Sequence, residues 1–134
     1  MPVGYVDWFL READGTIRIG GWAGEPNEHV DLDEVRVYID GQLLAASKTG
    51  LPRPDVVNVL GQPKFAQSGW EVCLSKSKIP KSSGMIEVRA FSQTGTSTML
   101  HFSPLSAAQE TKEAVTERSL PSMARIRSKV RKFF

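Results

Sequence analysis

Cysteine and histidine are scarce in this 134-residue chain, which holds one of the first and two of the second. A lone Cys73 closes no internal disulfide and builds no multi-cysteine zinc site, so no oxidising compartment is implied. A nucleophile activated by an imidazole would have to draw on His29 or His101. No serine stands in a G-x-S-x-G elbow. No apolar run approaches the roughly 18 residues that a bilayer crossing needs. The opening MPVGYVDWFLREADG lacks the basic start and apolar middle of a signal peptide. These absences lead to the expectation of a non-catalytic chain, cytoplasmic or part of a larger protein.

Net charge is also small, at +2, but it is unevenly placed. Residues 1–104 hold ten Lys/Arg against twelve Asp/Glu, and residues 105–134 hold seven against three. Basicity is therefore a property of the tail. A globular nucleic-acid binder would carry it on a folded face, so no specific nucleic-acid partner is expected.

Long helical periodicities are missing from residues 1–104, and short alternating runs take their place. VGYVDWFL (3–10) and TIRIGGWA (16–23) flank the turn signal Asp14-Gly15. Gly20-Gly21 suggests a bulge or a close backbone approach. EVRVYID (34–40) puts Val35, Val37 and Ile39 on one face, and Asp40-Gly41 leads into QLLAAS. SGWEVCLS (68–75) carries Trp70, Val72 and Leu74 inward and Cys73 outward, where a small packed side chain is expected. After a loop with Pro80, MIEVRAFS (85–92) points Ile86, Val88 and Ala90 inward, and a turn at 93–95 gives TSTMLHFS (96–103). Seven short strands with close turn signals predict an antiparallel sandwich over residues 1–104.

GLPRPDVVNVLG (50–61) interrupts the alternation. Pro54 suits a first helical turn, Asp55 the positive end of the helix dipole, and Gly61 a C-terminal stop. The spacing predicts a helical crossover at 54–60 lying as a lid on the core, with Val56, Val59 and Leu60 inward.

The ordered strings GTIRIGGWA, VRVYIDG, GLPRPDV, SGW and IEVRAFS resemble bacterial immunoglobulin-like β-sandwich modules found beside glycan-modifying or cell-surface domains. The resemblance covers residues 3–103. It implies an immunoglobulin-like fold and an accessory or binding role without catalytic residues, and it brings no defined ligand.

The candidate sites follow from residue types. Trp8 and Trp22 offer aromatic faces on which a sugar ring could stack, whereas Trp70 belongs to the core. Arg53 and Asp55 straddle Pro54. They either pin the crossover or bind a ligand, with Arg53 gripping a carboxylate or phosphate through its fork. The acidic loop of Glu25, Glu28, His29, Asp31, Asp33 and Glu34 lacks the spaced donors and glycine turn of a calcium loop, so no metal or cofactor is expected.

In the tail, Pro121 separates a mixed helix predicted from about Ala107 to Ser119 from a basic one starting near Ser122. Met123, Ile126, Val130 and Phe133 form its apolar stripe, opposite Arg125, Arg127, Lys129, Arg131 and Lys132. This segment is either a linker or a docking element for an anionic membrane or a partner protein. The expectation is a binding or adaptor module whose partners are a glycan or a protein. A peripheral membrane adaptor is the alternative, and a small enzyme the remote one.

Overall fold

The computed structural model describes residues 1–79 and 84–111. Within them the chain forms eight strands: β1 (Val3–Arg11), β2 (Ile17–Gly24), β3 (Leu32–Ile39), β4 (Gln42–Ser47), β5 (Gly69–Leu74), β6 (Met85–Ser92), β7 (Ser97–Pro104) and β8 (Gln109–Glu110). A short helix, α1 (Pro54–Leu60), and a 3-10 turn at Pro63–Gln67 lie between β4 and β5. Pro80 and the tail residues Arg125, Ile126, Arg127, Lys129, Val130, Arg131, Lys132 and Phe133 lie outside the described residues. No helix of the described residues is long and apolar enough to cross a membrane.

The strands form two four-stranded sheets, here sheet A in the order β5-β2-β1-β8 and sheet B in the order β4-β3-β6-β7. All pairings are antiparallel except β1 with β8. The period-two pattern dictates this arrangement, because alternate side chains on each strand share a face and both apolar faces must leave water. Sheet A contributes Ile17, Ile19, Ala23, Trp70, Val72 and Leu74 to the common core, and sheet B contributes Val35, Val37, Ile39, Ile86, Val88 and Ala90. The sandwich is all-β.

Turn chemistry sets the hairpins. Asp40 and Gly41 both adopt positive φ, +52° and +83°, which gives the tight β3–β4 turn the twist its strands require. Asp40 does more than turn the chain, since its carboxylate accepts the Met85 amide at 2.9 Å and so fastens this hairpin to the start of β6.

Six expectations are corrected. The strands number eight, because Gln109–Glu110 adds a parallel rung to β1. The helix expected from Ala107 does not begin there: Leu105–Ala107 is a 3-10 turn, Leu105 and Ala108 are buried in the core, and the Thr111 amide donates to Arg11 O at 3.1 Å. The exposed edge of β1 offers backbone partners that an isolated helical turn cannot match. The packed unit thus runs past residue 104. Of the crossover valines and leucine only Val56 is buried, while Val59 is 77% and Leu60 40% exposed.

Nor does the crossover lie over the core. Val56 and Phe65 are buried but stand apart from the core cluster, and the Phe65 ring packs on the outer side of sheet A at Gly24 and Trp22. Cys73 is exposed instead of packed, because among the described residues no element covers the outer face of β5 at that position. The capping of α1 follows expectation, with Pro54 in the first turn and Gly61 in the left-handed conformation at φ 71°.

Candidate functional site: the outer face of sheet A

Simple alternation along β1 would turn Trp8 inward with Val6. The pairing with β2 shifts between Val6 and Trp8, leaving Asp7 as an extra residue. That bulge sends Asp7 and Trp8 to the outer face in succession and returns Phe9 to the core. Gly21 makes the bulge possible, since a Cβ there would collide with the carbonyl oxygen of Tyr5.

Gly20 has the complementary role. Trp8 pairs with Gly20, and a Cβ at Gly20 would run into the Trp8 ring. The indole therefore sits over β2 where the strand has no side chain. Its Nε1 reaches the far strand and donates to Glu71 Oε2 at 2.9 Å, Glu71 being the β5 partner of Gly20. The ring is only half-buried.

Two residues further along β2, roughly 7 Å away on the same face, stands Trp22. It is paired with the 62%-exposed Tyr5 and lies 5.9 Å from the Phe65 ring. Trp22 is thus shared between packing under the 3-10 turn and lining the open face.

Arg53 joins the two aromatic positions. Its Nε and one terminal nitrogen grip Asp55 at 2.9 and 2.8 Å, and the other terminal nitrogen donates to Asp7 at 2.8 Å. Its stem lies against Gly69, the β5 partner of Trp22, and its guanidinium reaches the β1 bulge at Asp7, so the side chain spans from β5 to β1. The bond to Asp55 chiefly, with that to Asp7, outweighs burial and raises the Arg53 pKa. The same bond lowers that of Asp55. A second chain of charge runs from Glu12 through Arg18, at 3.0 Å, to Glu71, at 2.9 Å. Burial works most strongly against the Arg18 charge, but its bonds to both carboxylates leave its pKa raised.

All four candidates read from the sequence, Trp8, Trp22, Arg53 and Asp55, therefore share one surface. The Arg53–Asp55 pair also pins the crossover to β1. Sequence reasoning missed Tyr5, Asp7 and Glu71. Their signal was present in the Gly20-Gly21 pair, which marks where large groups on neighbouring strands close over β2.

Other chemistry-bearing groups are scattered. His101 faces Phe9 edge-on at 5.2 Å, and its Nε2 lies 2.8 Å from Ser103 Oγ. That is a serine–imidazole contact, yet no carboxylate bonds the ring among the described residues, and Ser103 also donates to the Pro104 carbonyl. His29 is exposed in the acidic loop. No cluster of three or more metal-ligating side chains occurs among the described residues.

A cavity of about 390 Å³ opens at the crossover end, lined by Glu25, Asp31, Phe65, Ser68 and Gln93 among others. The buried Glu25 carboxylate accepts the Asn27 amide there at 3.1 Å. Ser68 Oγ is buried with no partner among the described residues.

No protein-family model matches the chain, and no curated protein sequence matches it significantly.

Proposed function

We propose that this sandwich is a non-catalytic binding module whose outer sheet A face takes a glycan chain, in keeping with its resemblance to immunoglobulin-like accessory modules. The observation that carries the reading is the half-buried Trp8 indole, seated against Gly20 on the outer face and held there by Glu71. A sugar ring presents an apolar face edged with hydroxyls. It needs a flat aromatic surface and hydrogen-bonding groups beside it, both set before binding so that little entropy is lost on association. Trp8 and Trp22 supply the surface, and Asp7, Asp55 and Glu71 supply the acceptors. Arg53 and Arg18 hold those carboxylates in place. A loop-borne aromatic would have to be ordered on binding, whereas Trp8 is already fixed on a strand of the sheet.

Trp8→Ala removes the surface, and the expected result in calorimetric titration against bound oligosaccharides is at least about tenfold weaker affinity, near 1.4 kcal/mol. Gly20→Ala lifts the indole off the sheet while keeping it in the chain, and it should cost affinity too. Wild-type affinity in both variants would remove the assignment.

A further inference from the structure

Resting on the glycan reading of this face, we infer that the platform takes neutral or amine-bearing sugar chains and turns away polyanionic ones. Four carboxylates, Asp7, Glu12, Asp55 and Glu71, border Trp8 and its neighbouring strands, against two guanidinium groups, Arg18 and Arg53. These six groups together carry excess negative charge around Trp8, even though the chain as a whole is positive.

The cations are also committed. Arg53 donates from all three of its nitrogens, twice to Asp55 and once to Asp7. Arg18 spends both terminal nitrogens on Glu12 and Glu71. A uronate or sulfate group arriving here meets guanidinium groups whose charge is already balanced by two carboxylates each, so it would have to share or displace an existing partner. It also brings like charge toward four carboxylates, which suppresses association.

The acceptors are in the opposite condition. Glu71 Oε1 and Asp7 Oδ1 carry no hydrogen bond among the described residues, whereas Oε2 and Oδ2 of the same groups are engaged. A carboxylate oxygen with open lone pairs accepts a hydroxyl, and accepts an ammonium more strongly. The exposed face of an indole attracts a cation as well. Hydroxyl-rich neutral sugars therefore fit, and sugars carrying a free amine fit better.

The test uses the full chain and three probes of similar length: a cello-oligosaccharide, a chitosan oligomer and an oligogalacturonate. Calorimetry gives affinity. Alkylation of Cys73 gives location, because this single, exposed cysteine lies on the outer face of β5, two residues from Glu71. Expected are binding of the neutral oligomer that salt leaves unchanged and about tenfold tighter binding of chitosan that weakens as salt rises. Cys73 should be protected in both cases, and the oligogalacturonate should not bind. Glu71→Gln should reduce the chitosan preference more than it reduces neutral binding. If the oligogalacturonate binds as well as the others and loses binding in Trp8→Ala, the charge selection is overturned while the platform stands. If none of the three binds, both readings fail.

Discussion

Two adjacent glycines carry opposite duties on β2. Gly21 leaves room for the backbone of the β1 bulge, and Gly20 leaves room for the indole that the bulge has turned outward. Either alone would be insufficient, since an outward Trp8 would collide with any side chain at position 20. At the same scale, His101 gives the fold a pH dependence. Burial beside Phe9 lowers its pKa from the ordinary 6.5. The folded state thus favours the neutral ring, and the unfolded chain takes up the proton first as pH falls. The stability this contributes is complete above the ordinary value and is lost as pH drops through the lower folded one. Melting temperature should therefore fall as pH goes from about 7.5 to about 5. His101→Gln should flatten that slope, and an unchanged slope would show that other groups set it.

At the scale of elements, the crossover shows what spacing can and cannot predict. Helix α1 packs through Val56, which is 5% exposed, and leaves Val59 in water. Val56→Ala should cost about 1–3 kcal/mol in denaturant unfolding, whereas Val59→Lys should change stability by less than about 0.5 kcal/mol. Equal costs would mean that both valines are packed in solution. The helix itself was legible from Pro54, Asp55 and Gly61, because caps are local chemistry. The surface it packs on was not, since that depends on Phe65, a residue outside the helix, meeting Gly24 and Trp22 on a distant strand. The strands show the same division. Alternation placed Val35, Val37, Ile86 and Val88 correctly, but the bulge at Asp7 breaks alternation and leaves its trace on the facing strand. β8 escaped notice because two residues are too few to show a period.

At the scale of the whole molecule, the charge split at residue 104 suggested a boundary that packing moves. Leu105 and Ala108 join the core, Arg11 donates to Leu105 O at 3.1 Å, and Thr111 bonds the end of β1. Truncation after Pro104 should cost at least about 2 kcal/mol from the lost burial, read as a lower urea midpoint. A stable fragment ending at Pro104 would contradict the role given to Leu105.

β1 and β8 run in the same direction, so the chain passes Thr111 beside the Asp14-Gly15 hairpin. The β4–β5 connection, the 25–31 loop and the 93–96 turn gather at the opposite pole. Thr111, the last described residue, therefore stands at the first pole. The Trp8–Trp22 axis runs parallel to the strands between these poles, with Phe65 toward the second, so a ligand on that axis would lie along the flank of the sandwich and not across its tip.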